Sequence, residues 1–195
     1  MTKISEARVA ILATDGYERS ELRVPLERLR ARGAMVDAIA PKGEAIRSWV
    51  DDDWGDSVAV DRLLSEVSVD DYDALVLPGG QINPDVLRLE ADAVALVREF
   101  AACGKTLAAI CHGPWLLVEA DVIRGREVTS YAPIRTDLVN AGADWRDCDV
   151  AVDRGIVTSR RPEDLPAFVA RIVEEIEEGS HFRPAHNAAA FAVES

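Results

Sequence analysis

Short, mainly apolar segments alternate along this chain with longer segments in which apolar residues recur at helical spacing. The segments typical of buried strands are Arg8–Thr14, Ala34–Ala40, Asp73–Leu77 and Thr106–Ile110. The clearest amphipathic helix is marked by Leu165, Phe168, Val169, Ile172, Val173 and Ile176 and closes at Gly179. Strands that are apolar throughout and alternate with helices indicate an α/β fold with a mostly parallel sheet covered by helices on both faces.

Other segments fill in this pattern. Further helices are predicted at Ser20–Arg32, Pro84–Leu89, Asp92–Cys103 and Gly113–Ala120. Later strands are predicted at Val128–Ser130, Asp149–Asp153 and Ile156–Ser159, the last two joined by a hairpin turn at Arg154-Gly155. Pro41–Asp61 looks irregular and holds an acidic run, so we expect a surface hairpin or loop with a solvated tip, or alternatively a lip over a pocket.

The length of the chain favours one domain. It has 195 residues, 48% of them hydrophobic, which is enough for a full core. We therefore expect a single domain over residues 1–179. Residues 180–195 lose all periodicity and are predicted to be a loosely packed tail, or an arm over a neighbouring molecule.

Charge and composition exclude several classes of partner. The formal net charge of -13 argues against nucleic acid or an anionic membrane, since both require a basic surface. Apolar segments stay below the ~18–20 residues of a membrane span. Three cysteines without paired spacing do not suggest a disulfide framework, and a cytoplasmic protein with free thiols is the simplest interpretation.

Three predicted strands end in turns of unusual chemistry. They are Thr14–Glu18, Pro78–Gly80 and Cys111–Gly113. Ligands of parallel α/β sheets bind outside the carboxyl ends of the strands. If the sheet is parallel, the three turns lie on one rim and form the candidate site.

Cys111 ends a buried strand and begins a helix, which is the arrangement of a nucleophile elbow. Unpaired N–H groups and the dipole at the helix start favour a thiolate there. The alternative is a buried structural cysteine, which is common. Cys103 and Cys148 lack this setting and are interpreted as structural or incidental.

His112 and Gly80 are candidates for an oxyanion hole through their backbone N–H groups. The His112 ring need not touch the Cys111 sulfur, because neighbouring residues on a turn usually point in different directions. Gly79-Gly80 is equally compatible with ordinary turn chemistry.

Two acidic residues have both a structural and a catalytic interpretation. Glu18 is either a solvated carboxylate at a helix start or a buried, protonated group that donates a hydrogen bond to the Cys111 sulfur. Asp85 is either a carboxylate that favours a helix dipole or a partner that orients a histidine. Sequence spacing cannot choose between these alternatives. With three histidines and no phosphate-binding glycine motif, neither a metal nor another cofactor is expected.

Taken together, these segments resemble the ThiJ/PfpI family of the class I glutamine-amidotransferase-like superfamily, which includes intracellular proteases and parkinsonism-associated deglycases. The residues concerned are DGYERSEL, ALVLPGGQINPDVLR, AAICHGPWLLVEADVIRGREVTSY, NAGADWRD and VDRGIVTSRRPEDLPAF. The similarity covers most of residues 8–176, and the segment around Cys111 is close to diagnostic.

The resemblance implies a flavodoxin-like three-layer sandwich and a homodimer or higher homo-oligomer. It assigns the nucleophile to Cys111, the following histidine to His112 and the hydrogen-bonding glutamate to Glu18. It also implies that Asp85 can reach His112 of a neighbouring subunit. Trp115 stands where relatives often carry a smaller polar side chain, which would narrow or reshape the pocket.

The function implied is that of a cysteine-dependent enzyme acting on small reactive carbonyls or on their adducts with proteins, a deglycase or glyoxalase activity. One alternative is an intracellular cysteine peptidase. A second, non-enzymatic alternative is an oxidative-stress sensor or chaperone that uses the same oxidisable cysteine.

Overall fold

A computed structural model describes residues 2–180 of the chain. Their strands are β1 (Arg8–Leu12), β2 (Tyr17–Glu18), β3 (Met35–Ala40), β4 (Ala45–Val50), β5 (Asp53–Ala59), β6 (Arg62–Leu63), β7 (Ala74–Leu77), β8 (Thr106–Ile110), β9 (Glu127–Val128), β10 (Asp144–Trp145), β11 (Val150–Asp153) and β12 (Ile156–Ser159). Their α-helices are α1 (Arg19–Arg30), α2 (Ile82–Leu87), α3 (Ala91–Ala102), α4 (Pro114–Glu119), α5 (Arg135–Asn140) and α6 (Leu165–Glu178).

Seven strands form the central sheet, in the order β11-β12-β8-β7-β1-β3-β6. Every neighbouring pair is parallel except β11 and β12, which form the antiparallel hairpin at one edge. The turn of that hairpin is Arg154-Gly155, and both residues have positive φ, 52° and 82°. The prediction of a mostly parallel sheet is therefore confirmed.

The two faces of the sheet carry separate cores. Along β1, Val9 and Ile11 point to one core, while Ala10 and Leu12 point to the other, because alternate side chains of a strand face opposite sides. Helices α1 and α6 cover the first core, and α2, α3, α4 and α5 cover the second. Burial on both faces explains why the central strands are apolar throughout, and it confirms the three-layer α/β sandwich.

The segment Pro41–Asp61, predicted to be a surface hairpin or loop, contains an antiparallel hairpin formed by β4 and β5, with a shift in register between Arg47 and Trp49. Its Trp49 and Trp54 rings meet edge to face, with centroids 5.4 Å apart, and the acidic turn is exposed. The hairpin packs beside the first rim turn, where Asp15 accepts a hydrogen bond of 2.7 Å from the Arg47 N–H. Trp49 and Trp54 are partners on neighbouring strands, and such a cross-strand aromatic pair stabilises the hairpin.

The last helix, α6, ends at Gly179, whose φ of 89° places it in the left-handed region. No helix among residues 2–180 is long and apolar enough to cross a bilayer. The predicted tail falls almost wholly on residues 181–195, which lie outside the described part of the chain. The domain boundary at residue 179 stays a prediction.

Candidate active site

The three turns singled out from the sequence meet at one rim of the sheet. The Glu18 N–H donates to the Gly79 carbonyl oxygen at 3.3 Å, and a Cβ at Gly80 would collide with the Gly16 carbonyl. A Cβ at Gly113 would lie 2.5 Å from the Leu77 carbonyl oxygen. Glycine is required here because the backbones approach too closely for a side chain. The prediction that these turns share a rim is confirmed.

Cys111 lies between β8 and α4 with a φ of 62°, a left-handed conformation that non-glycine residues rarely adopt. The turn is held on both sides, since the Cys111 N–H donates to Ser159 O at 3.0 Å and the Tyr131 N–H donates to Cys111 O at 2.9 Å. The side chain is 8% exposed. A strained, well-fixed backbone between strand and helix is the geometry of a nucleophile elbow.

Two backbone donors converge on the Cys111 sulfur. They are the N–H groups of Gly80 and His112, and both stabilise the thiolate. These are the two groups predicted from the sequence as oxyanion-hole donors. The structure brings them together at the reacting atom, where they can also stabilise negative charge on a bound substrate.

The carboxyl group beside the thiol belongs to Glu21. Glu21 is fully buried, its Oε2 accepts a hydrogen bond of 2.8 Å from the Gly79 N–H, and its carboxyl group interacts with Cys111. Burial, reinforced by the negative charge of Glu18, raises the pKa of Glu21 to about 8. The group is therefore protonated at neutral pH and able to donate a hydrogen bond to sulfur.

The prediction that Glu18 occupies this position is wrong. Glu18 is the N-cap of α1, and its half-buried carboxylate accepts hydrogen bonds from Ser20 Oγ at 2.6 Å and from the Glu21 N–H at 2.8 Å. Its extended backbone turns the side chain back onto the helix end. Glu21 lies one turn further on and points inward next to Leu22 and Pro25, a placement that the helical apolar stripe could have revealed.

The His112 ring touches the sulfur, a contact that the sequence left open. Its Nδ1 lies 3.2 Å from Cys111 Sγ. Burial lowers the pKa of His112, so the imidazole is neutral near pH 7 and can accept a proton. Burial raises the pKa of the Cys111 thiol, and the charge that Glu21 carries once it ionises, above about pH 8, raises it further. The thiol consequently needs an adjacent base, and His112 is placed to be that base.

Asp85 does not join the site within one chain. It lies in the first turn of α2, is exposed, and makes no hydrogen bond or ion pair with any of residues 2–180. The rings next to His112 are instead aromatic: Trp115 and Tyr131 each have centroids 5.1 Å from the imidazole centroid. Sequence reasoning missed this pair as neighbours of His112.

The other two cysteines lie apart from these groups. Cys103 is exposed, at the end of α3. Cys148 is partly buried and its Sγ donates to Val150 O at 3.5 Å. Among residues 2–180, no cluster of His, Cys, Asp or Glu has the composition of a metal site.

Comparison with known proteins gives a consistent result. The DJ-1/PfpI family matches residues 7–175, in agreement with the ThiJ/PfpI resemblance. Protein/nucleic acid deglycase 2 of Escherichia coli is 44% identical over 171 residues, covering 83% of this chain and 92% of that protein. YraA of Bacillus subtilis, provisionally named a cysteine protease, is 40% identical over 162 residues, covering 83% and 93%.

Among solved structures, a two-domain protein of Anabaena variabilis with DJ-1/ThiJ/PfpI-like and ferritin-like domains superposes with a TM-score of 0.81. The two sequences are 33% identical, and the match covers 87% of this chain. The chain spans half the length of that protein.

Proposed function

The chain belongs to the DJ-1/PfpI family, and from this premise we propose that it is a cysteine-dependent enzyme acting on reactive carbonyls or their protein adducts. The main support for the proposal is the set of groups that surround the Cys111 sulfur. The sulfur receives two backbone N–H groups and lies beside a neutral imidazole and a buried, protonated carboxyl group. This set can activate a thiol, stabilise an oxyanion and supply a proton.

The first step uses all of these groups. His112 Nδ1 accepts the Cys111 proton, and the thiolate attacks the aldehyde carbon of a compound such as methylglyoxal, forming a C–S bond. The N–H groups of Gly80 and His112 stabilise the resulting oxyanion, and Glu21 donates a proton to it. The product of this step is a hemithioacetal on Cys111.

The second stage needs no external oxidant or reductant. A proton leaves the former aldehyde carbon and reaches the adjacent ketone carbon, and the hydroxyl proton of the hemithioacetal moves to the ketone oxygen. The first carbon is thereby oxidised to a thioester and its neighbour is reduced to a carbinol. The resulting thioester is cleaved by water, which releases a hydroxy acid and restores the thiol. With a hemiaminal or hemithioacetal adduct on a protein as substrate, the protein amine or thiol leaves first and takes up the hydroxyl proton of the adduct. This regenerates the aldehyde that Cys111 then attacks.

The size of the site favours a small substrate. Cys111 is almost completely buried, and Gly79, Gly80 and Gly113 all lie where a Cβ would collide with the surrounding backbone or side chains. The name of the Escherichia coli relative, a deglycase, points in the same direction. A compact carbonyl group fits this confined rim better than an extended polypeptide does.

Methylglyoxal consumption tests the proposal. Wild type should consume it, Cys111→Ala should lose at least about a hundredfold in rate, and Cys103→Ala should match wild type. Equal rates of methylglyoxal consumption for wild type and Cys111→Ala would refute the proposed function.

A peptidase is the second candidate, favoured by the Cys111–His112 contact of 3.2 Å and by the name of the Bacillus subtilis relative. It predicts that cleavage of unfolded peptides depends on Cys111. Absence of cleavage by protein freed of contaminating proteases removes this candidate.

An oxidation sensor has less support, because burial raises the pKa of Cys111 and a sensor requires an accessible thiolate.

We further propose that the protein is cytoplasmic and forms homo-oligomers in which Asp85 faces a second copy. The support is that Asp85 is exposed and unpaired among residues 2–180. Light scattering checks the assembly. Asp85→Asn should lower kcat only at concentrations where the oligomer forms; a concentration-independent effect argues against a contribution across subunits.

A further inference from the structure

Trp115 lies in the first turn of α4, and its indole ring meets the imidazole of His112. The ring centroids are 5.1 Å apart and the planes are inclined by 62°. This is an edge-to-face arrangement, which aromatic rings prefer over direct stacking. The contact therefore favours one orientation of the imidazole over others.

The indole ring is itself fixed by groups from other helices. Its Nε1–H donates to Asp137 Oδ2 of α5 at 2.8 Å. The Arg88 guanidinium lies over the ring, 5.7 Å from its centroid, and is paired with Glu119 of α4 at 3.1 Å. Contacts at the edge and on the face of the indole restrict the orientations that it presents to a neighbouring ring.

The His112 imidazole has few other contacts that fix its orientation. Within residues 2–180, the only hydrogen bond to the His112 ring is the one between Nδ1 and Cys111 Sγ. In Cys–His sites, a third group usually orients the base by bonding its other nitrogen. Tyr131 also contacts the ring, but its side chain makes no hydrogen bond with any of residues 2–180, whereas the Trp115 indole is bonded to Asp137.

We propose that Trp115 is a positioning residue that holds the His112 imidazole with Nδ1 facing the Cys111 sulfur. Within one chain the aromatic contact restricts the imidazole without a carboxylate partner, and it is compatible with a contribution of Asp85 from a second copy. The effect of Trp115 on turnover rests on the proposed function, whereas its effect on the reactivity of the thiol does not.

The experiment compares Trp115→Leu with Trp115→Phe, using two measurements. One is the rate at which iodoacetamide alkylates Cys111, followed by mass spectrometry of its peptide; the other is kcat and KM for methylglyoxal. We expect Trp115→Leu to lose about tenfold in both kcat and alkylation rate with KM little changed, because misorientation of a catalytic group acts on the chemical step. Trp115→Phe retains an aromatic edge and should restore most of both rates.

Trp54→Leu is the matched control, since Trp54 also has an edge-to-face aromatic neighbour and an arginine 5.7 Å from its ring centroid, but lies on the β4–β5 hairpin. It should match wild type. Unchanged kcat and alkylation in Trp115→Leu, or a change in KM alone, overturns the proposal. If Trp115→Leu does not fold, Asp137→Ala is used instead, because it removes the hydrogen bond that holds the indole. An alkylation rate equal to that of wild type in this variant then overturns the proposal. Wild type that consumes no methylglyoxal contradicts the proposed function but leaves the alkylation comparison intact.

Discussion

Helices α1 and α2 begin at the same rim, and each carries an acidic residue in its first turn, yet only one of these residues reaches the thiol. In α1 the inward residue is Glu21, whose carboxyl group meets the thiol. In α2 the acid, Asp85, faces outward and the inward residue is Asn83. Both acids lie near the rim, but only one reaches the thiol. The direction in which each helix turns its side chains therefore decides which acid can take part in the reaction.

Asn83 shows what the inward position of α2 does instead. Its side-chain oxygen accepts from the Thr14 N–H at 2.8 Å, and its amide donates to the carbonyl oxygens of Pro78 and Gly79 at 2.9 and 3.2 Å. These bonds tie the first and second rim turns together in a buried environment. One helix places a carboxyl group beside the thiol, and the other fixes the backbone that surrounds it.

The largest effect is expected from Glu21→Gln. The amide keeps the size of the side chain but cannot transfer a proton, so kcat for methylglyoxal should fall about a hundredfold. The matched variant Glu18→Gln keeps the oxygen that caps α1 and should remain within about threefold of wild type. Similar losses in both variants would contradict the distinction between the two glutamates.

The pH dependence of stability should separate the same pair. The folded-state pKa of Glu21 is raised, so the folded protein binds more protons than the unfolded chain between about pH 4.5 and about pH 8. Stability should therefore fall as pH rises through this window, by a few kcal/mol. Urea unfolding should show this decline in wild type and Glu18→Gln but not in Glu21→Gln; equal slopes in all three would contradict it.

Removing the inward residue of α2 should destabilise the fold. Asn83→Ala leaves the Thr14 N–H and the Pro78 carbonyl without their partner, while the Gly79 carbonyl keeps its bond from the Glu18 N–H. We expect a loss of about 2–3 kcal/mol in the free energy of unfolding. The exposed Asn140→Ala is the control and should change it by less than about 0.5 kcal/mol. A loss no larger than that of the control means that the rim turns are held by other contacts.

The smallest effect is expected at the cap of α1. Glu18→Ala removes the acceptor for the Glu21 N–H and should cost about 1 kcal/mol of stability. Because the loss is structural, the rate of Cys111 alkylation should change little while the protein stays folded. A large drop in that rate would return Glu18 to the reactive centre.

The sheet and its layers could be predicted because their signal is local: apolar strands and helical stripes are visible in single segments. Cys111, Gly80 and His112 could be placed for the same reason, since each lies at the end of a strand. The apolar stripe of α1 carries a signal for Glu21, but the choice between Glu18 and Glu21 also requires the start of α1 to within one turn. The contact of Trp115 with His112 depends on side-chain directions that spacing does not specify.

The most direct measurement of the central claim is the infrared C=O band of a protonated carboxylic acid, recorded at neutral pH on protein labelled with ¹³C-glutamate. Since the pKa of Glu21 is raised to about 8, wild type and Glu18→Gln should both show this band, and Glu21→Gln should lose it. A band absent from wild type, or unchanged in Glu21→Gln, would contradict the assignment of Glu21 as the proton donor at the Cys111 sulfur.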